Sequence, residues 1–415
     1  MRVAEDPQAV VAAAVEAREV PGAVAVYGTR EGTSSIGAHG FARLAGAGRE
    51  ASAKSEKRRA EVQRAGAQAE VQREVAQAEV QRAGAQAEVR RVRSPAQMHR
   101  PELHAQQPAP TPGAEVPEEM HAQTLFDLAS LTKVVATLPS ILALLSDGRI
   151  SLEDRTGDFF PFAQGAAARL SLRSLLSHSS GLPASLPLYR EVGTVANALS
   201  LILGDTLELE PGKYVYSDLG FITLGAVVEE VSGQGLEEFA SERVFRPLGM
   251  VDTGFGPVVG RQVAATENCP WRGRVMQGEV HDENAFALGG VCGHAGLFGT
   301  AEDLAKYALA WLRLDERLGP ERLLNEAVSE QLEQNGVRRG LGWQLAGENS
   351  SVGPLASSGA FGHTGFTGTS LWCDPVQGWF AVLLTNRVHP QRDDGARIHR
   401  LRRRFHEAVA RAVAS

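Results

Sequence analysis

Three cysteines in 415 residues, Cys269, Cys292 and Cys373, form no CxxC pair and are odd in number. No disulfide framework is expected, and a reducing compartment is the simpler setting. Lysine is nearly as scarce: five of the 42 basic residues, the other 37 being arginine. The net charge of −7 and a pI near 5.9 argue against nucleic acid or an anionic membrane as the main partner. Long apolar runs are missing too. Val10 to Val15 is too short for a signal h-region, and Val134 to Leu145, interrupted by Thr137, Pro139 and Ser140, has the length of a buried helix rather than a membrane span. A soluble cytoplasmic protein is expected, or a periplasmic one if the true start lies upstream. The chain also lacks GxSxG, HExxH and GxxxxGK[ST], which removes the α/β-hydrolase elbow, the common zinc proteases and the P-loop.

Aromatic residues are absent between Phe41 and Phe126. Within that gap, from Ala60, a nine-residue unit recurs as AEVQRAGAQ, AEVQREVAQ, AEVQRAGAQ and a truncated AEVRRVR. Nine residues at about 100° each turn a helix by roughly 180° beyond whole turns, so Val62 and Val80 face away from Val71 and Val89. No apolar seam runs through the repeat, which disfavours a coiled coil. A solvated helix or disordered insertion at 48–117, closed by a Pro-rich tether around Pro108, Pro110 and Pro112, is the expectation; a partner bound through the repeats is the alternative. Outside it, PGAVAVY (21–27) and GWFAVLLTN (378–386) read as strands, and a basic amphipathic helix starts near Ile398. The expected division is a sheet subdomain from 1–47 and 300–415 and a helix-rich subdomain from 118–299.

What remains carries chemistry. Ser130-Leu131-Thr132-Lys133 opens a helix, where residues three apart share a face and a hydroxyl can meet an amine. With 26 serines and five lysines, about 0.3 such matches arise by chance (26 × 5/415), so the motif alone is weak. A chain this biased toward arginine nevertheless keeps lysine at 133, and lysine, unlike arginine, loses its proton when buried. Two further motifs follow in order: Tyr216-Ser217-Asp218 after the turn Pro211-Gly212, and His363-Thr364-Gly365 leading into Phe366.

Ser-x-x-Lys, Tyr-Ser-Asp and His-Thr-Gly in this order resemble the motif set of penicillin-binding proteins and β-lactamases. The chain is similar to class C β-lactamases and to their D-Ala-D-Ala carboxypeptidase, D-aminopeptidase and esterase relatives. LLSHSSGLP (175–183) and the stretch from Leu288 to Phe298 carry the same likeness. The resemblance implies a mixed α/β (α+β type) β-lactamase/transpeptidase-like fold, an antiparallel sheet flanked by helices with a helical subdomain and the nucleophile in the cleft. It implies Ser130 as nucleophile, with Lys133 and Tyr216 sharing the base work; which of the two takes the proton stays open. It also implies an oxyanion hole from the backbone N–H groups of Ser130 and Phe366, and a cleft-lining strand with Thr364 and Gly365. No metal or organic cofactor is implied.

Two positions depart from that pattern. Asp218 stands where class C enzymes carry asparagine, and a carboxylate cannot donate to a substrate acylamide, although it can pair with Lys133. His363 stands where they carry lysine, and a partly cationic imidazole holds a substrate carboxylate less firmly. The expected activity is therefore covalent hydrolysis of esters or of small D-amino-acid amides and peptides. The alternatives are a β-lactamase, a D-Ala-D-Ala carboxypeptidase, or a sensor that acylates without turnover. His281, Asp282 and His294 lack metal-ligand spacing and are expected to shape loops, and Cys292 to be a small buried thiol.

Overall fold

The computed structural model describes residues 5–45, 116–204, 207, 209–348 and 350–414. The repeat segment and Pro-rich tether lie outside the described residues.

Helix α1 (Pro7–Glu16) begins at an Asp6 N-cap with proline in its first turn, the order that helix termini favour. It leads into β1 (Gly22–Thr29) and β2 (Gly32–Arg43), and β2 pairs with the short β3 (Glu118–Glu119), Phe41 opposite Glu119. Three short strands close the sheet on its far side, at Leu332–Gln334, Val337–Arg339 and Gln344–Leu345. Between these two groups run β4 (Phe361–Thr364), β5 (Ser370–Asp374) and β6 (Trp379–Thr385). All nine strands form one antiparallel sheet in which β1 sits beside β6, joining the two ends of the chain.

Alternation along β6 explains how the sheet takes a layer on each face. Trp379, Ala381 and Leu383 pack with Val10, Val11 and Ala14 of α1 and with Ile398, Leu401, Phe405 and Val409 of the C-terminal helix Ala396–Val413. Phe380, Val382 and Leu384 point the other way, into the main core with Leu304, Ala308 and Trp311 of the helix Ala301–Leu312. The expected strands at 21–27 and 378–386 and the late amphipathic helix are all present.

The helix-rich middle of the chain also contributes small sheets, Phe126–Asp127 with Leu297–Gly299 and Gly254–Phe255, and a hairpin at 268–275. Its long helices, which we label α2 (Leu138–Ser146) and α3 (Asp218–Ser232), pack into the same main core. One stretch among the described residues, 129–146, is long and apolar enough to cross a membrane, and most of it is buried core.

Candidate active site

The helix that opens at Ser130 does not start as an α-helix. Ala129–Leu131 is a 3₁₀ turn, Lys133–Thr137 a π turn, and only then does α2 begin. Such mixed geometry is common at functional sites. Ala129 itself has φ +48°, a left-handed conformation costly for a residue with a Cβ. Asp127 holds it: one carboxylate oxygen accepts from the Ala129 N–H at 2.8 Å, the other from the His281 N–H at 2.6 Å. Burial pushes the Asp127 carboxyl upward, against the pull of these two bonds.

Lys133 is buried completely. Its Nζ donates to Ser130 Oγ at 3.0 Å, to Asp218 Oδ1 at 2.7 Å and to the His294 carbonyl at 3.2 Å. Burial opposes the charge on Lys133, but Asp218, reinforced by Tyr216, outweighs it and holds the amine above its usual range. The resting lysine is an ammonium. The loss of its proton on burial that the sequence suggested is not what the structure contains; the carboxylate at 218 is the physical reason.

Tyr216 and Asp218 are placed by a helix N-terminus. Ser217 caps α3, its hydroxyl accepting from the Gly220 N–H and donating to Pro183 O. Asp218 thus falls in the first turn, where the helix dipole favours an anion. His178 supports the same turn: its Nδ1 accepts from the Ser217 N–H at 3.1 Å, and its ring lies 4.6 Å from that of Tyr216. This accounts for LLSHSSGLP. The ammonium of Lys133 lies 5.1 Å from the Tyr216 ring centre.

The stretch 290–297 clamps the other side. Thr137 donates to Gly293 O at 2.6 Å, and Leu297 N–H donates to Thr132 Oγ1. A Cβ at Gly293 would collide with the backbone of α3 at Phe221. His294 is buried against Asp282, 2.9 Å apart. Burial disfavours its cation, yet Asp282 raises it well above the ordinary imidazole range, and His294 draws Asp282 down in turn. The expected loop-shaping histidine therefore also places a fixed ion pair behind the carbonyl that holds Lys133. Cys292 is buried and free, as are Cys269 and Cys373.

His363 differs most from its sequence-based expectation. It is 3% exposed, its Nδ1 lies 2.9 Å from Thr364 O, and its Nε2 has no hydrogen-bond partner among the described residues. Burial first, then the cations Arg339 and Lys133, lower its pKa well below 6.5. His363 is neutral, so the partial cation expected from the sequence is corrected. Its ring lies 5.8 Å from Tyr216. A cation does stand nearby: Arg339, 6% exposed, bonds Tyr214 Oη at 2.6 Å and lies 5.4 Å from the Tyr216 ring centre. Its Nε and Nη1 are unpartnered among the described residues.

β4 ends at Thr364, which is half-buried, and the chain turns at Gly365. Thr367 donates to Asp127 O at 2.8 Å and Thr369 to Leu128 O at 3.1 Å, so this turn is pinned to the backbone just before Ser130. Gly365 is required there, because a Cβ would lie 2.6 Å from Leu128 O. The N–H groups of Ser130 and Phe366 have no hydrogen-bond partner among the described residues. The Phe366 ring is half-exposed and stacks on His281, with Arg387 across it at 4.8 Å.

Ser130, Lys133, Tyr216, Asp218 and His363 thus form one cluster, bordered by Thr364, Gly365 and Phe366. Sequence reasoning missed Asp127, Arg339 and the pairing of Asp282 with His294. The one available signal was local: an aspartate can turn its carboxylate onto the N–H two residues on, as Asp127 does with Ala129.

The beta-lactamase family model matches residues 96–404. A relative from Escherichia coli (strain K12), named "Putative D-alanyl-D-alanine carboxypeptidase", is 35% identical over 313 residues, 66% of this chain and 72% of its own. EstCE1, a hydrolase with promiscuous acyltransferase activity, superposes with a TM-score of 0.66 at 19% identity, over 97% of each chain. A class C β-lactamase from Rhodobacter sphaeroides superposes with 0.63 at 14% identity, over 99% of each chain.

Proposed function

The chain belongs to the β-lactamase family of serine hydrolases, and from that premise we propose that it hydrolyses esters and small D-amino-acid amides or peptides through an acyl-enzyme on Ser130. The observation that carries the proposal is the contact set of Lys133, 3.0 Å from the Ser130 hydroxyl and 2.7 Å from the Asp218 carboxylate. Ser130 Oγ attacks the substrate carbonyl and loses its proton to the Lys133–Tyr216 pair. The tetrahedral oxyanion is received by the Ser130 and Phe366 N–H groups. The leaving group departs with the proton, and water repeats the sequence on the acyl-serine.

Because Lys133 rests as an ammonium, it must hand a proton on before it can take one. Substrate entry beside the partly exposed Asp218 is the step that weakens the ion pair and lets the Lys133 proton pass to the Asp218 carboxylate, so that the neutral amine takes the Ser130 proton and the Tyr216 hydroxyl, against the same amine, relays one to the leaving group. Asp218 offers no N–H to a substrate acylamide, and His363 offers no charge to a carboxylate, so β-lactams should be the poorest substrates.

A second reading, carboxypeptidase action on D-Ala-D-Ala ends, is favoured by the name of the relative from Escherichia coli and by Arg339, whose unpartnered nitrogens suit a carboxylate. A reducing, cytoplasmic setting is supported only by the three free buried cysteines. The test is a substrate panel on purified protein: a short-chain nitrophenyl ester, a D-alanine anilide, a D-Ala-D-Ala peptide and a chromogenic cephalosporin. Turnover should fall in that order, and a cephalosporin rate matching the best ester would refute the proposal. Stoichiometric acylation without turnover on every substrate would instead mark a sensor.

A further inference from the structure

Arg402 lies on the C-terminal helix behind the turn that follows β4, and it is 8% exposed. A buried guanidinium is normally paired with a carboxylate. This one has no acidic partner within salt-bridge distance among the described residues. Its Nη2 donates to two main-chain carbonyls, Gly365 O at 2.7 Å and Thr369 O at 2.8 Å. Its Nε is buried and unpartnered, and Arg387, a further cation, is nearby. Burial, then Arg387, lower it to about 9, so it stays cationic at neutral pH.

The carbonyl matters because of the peptide to which it belongs. Gly365 C=O and Phe366 N–H are the two ends of one planar peptide group. A charged donor on the oxygen increases the amide's resonance polarisation and makes the N–H at the other end a stronger donor. That N–H is one of the two unpartnered donors beside Ser130. The same guanidinium ties Gly365 O to Thr369 O, across the bond by which Gly365 N–H donates to Thr369 O at 2.8 Å. We infer that Arg402 is a positioning residue for the reaction: through the Gly365–Phe366 peptide it orients and polarises the oxyanion-binding N–H of Phe366, without touching substrate. The inference rests on the oxyanion role proposed above for that N–H.

The test compares Arg402→Gln, which keeps a donor without the charge, with Arg402→Lys, which keeps the charge, and with wild type, all as the full chain. Each is assayed for ester kcat and KM, for inhibition by phenylboronic acid, and for Tm. The boronic acid forms a B–O bond to Ser130 Oγ, whose proton is released, and its tetrahedral anion places an oxygen where the reaction's oxyanion forms. Arg402→Gln should lose about tenfold in kcat with KM within about twofold, boronate Ki should rise by the same factor, and Arg402→Lys, which keeps the charge, should lose only about two- to fivefold in each. A purely structural role would lower Tm and activity together and leave the ratio of boronate to substrate binding unchanged. Folded Arg402→Gln with kcat and Ki both within twofold of wild type overturns the inference. If Arg402→Gln does not fold, Arg402→Lys decides: a loss of about two- to fivefold shared by kcat and Ki supports it, and wild-type values overturn it. Ser130→Ala is run alongside. If it abolishes turnover while Arg402→Gln does not matter, only this inference falls; if it keeps turnover, the oxyanion reading falls too.

Discussion

Replacing Asp218 by asparagine keeps the shape of the side chain and removes the charge that holds Lys133. The two groups are 2.7 Å apart, with the lysine buried and the Asp218 side chain 23% exposed. Two unit charges at that separation attract by about 6 kcal/mol at an effective dielectric of 20. Halving this for the solvent that reaches Asp218 leaves about 3 kcal/mol, and the charged hydrogen bond at 2.7 Å adds about 2, together equivalent to between about three and four pKa units. In the wild type the carboxylate, with help from Tyr216, outweighs a burial penalty that acts in the opposite direction. With the carboxylate gone that penalty acts with only Tyr216 against it, and the Lys133 amine should fall below its ordinary value. The readout is the second-order rate of Ser130 phosphonylation by a fluorophosphonate, measured by intact mass from pH 6 to 10. Wild type should rise across the whole range without a plateau, because its lysine stays protonated; Asp218→Asn should reach a plateau inside it.

Stability supplies an independent check on the same charge. In the wild type the raised Lys133 contributes stability that is fully present below about pH 10 and is lost as pH rises through its folded pKa. In Asp218→Asn the order reverses. The folded lysine then binds its proton less tightly than the unfolded one, so stability rises with pH toward about 10, by at most about 1.4 kcal/mol per unit. At pH 7 the variant should be roughly 3 kcal/mol less stable, the cost of an unpaired buried charge. Superimposable pH profiles of wild type and Asp218→Asn, in rate and in Tm, would refute the assignment of Asp218 as the group that keeps Lys133 charged.

Further outcomes follow from the same geometry. Ser130→Ala, Lys133→Ala and Lys133→Arg should each lower ester kcat by at least about a thousandfold, near 4 kcal/mol of barrier, and Ser130→Ala with Lys133→Ala should cost little more than either. Wild-type phosphonylation by Lys133→Arg would show that position 133 supplies charge alone. His363→Lys, which on sequence grounds would improve carboxylate binding, should instead destabilise the protein by at least about 2 kcal/mol, because it buries a third cation near Arg339 and Lys133; an unchanged Tm would refute this. Replacing residues 46–115 by a four-residue Gly/Ser turn should leave ester turnover within severalfold, since β2 and β3 are antiparallel neighbours with Arg43 opposite Glu118. An insoluble or inactive deletion variant would show that the segment is needed by the domain.

The legible part of the molecule is the part written in short-range pattern. Ser130 and Lys133 share a helical face whatever the helix subtype, and Trp379 to Thr385 is apolar enough to be a central strand wherever it pairs. Position-by-position likeness located Tyr216 and Asp218 too, because Ser217 caps a helix and capping is a local property. Illegible were the quantities that depend on what comes from elsewhere in the chain. His363 reads as a near-surface imidazole of ordinary pKa until Arg339, 24 residues upstream, and Lys133, 230 residues upstream, are seen beside it under a buried strand. Asp127 reads as any acidic residue until its two oxygens meet the N–H groups of Ala129 and His281.

The charges around the nucleophile form a consistent scheme once they are placed. Among the described residues Lys133 has one ion-pair partner, Asp218, and it also donates to the carbonyl of His294, whose ring is paired with Asp282. Asp218 is partly open to solvent. A substrate that enters there can change the Lys133–Asp218 interaction without breaking the His294–Asp282 pair, because Lys133 bonds the Asp218 carboxylate directly and reaches that pair only through the His294 carbonyl. The resting ion pair then acts as a restraint that substrate binding relieves, and the proton on Lys133 becomes movable only when a carbonyl is in place. An asparagine at 218 removes that restraint permanently. The variant should therefore acylate faster than wild type at neutral pH with a small unselective phosphonate, while gaining much less with a specific D-amino-acid substrate that already relieves the ion pair. Equal gains with both reagents would mean that substrate binding does not reach Asp218.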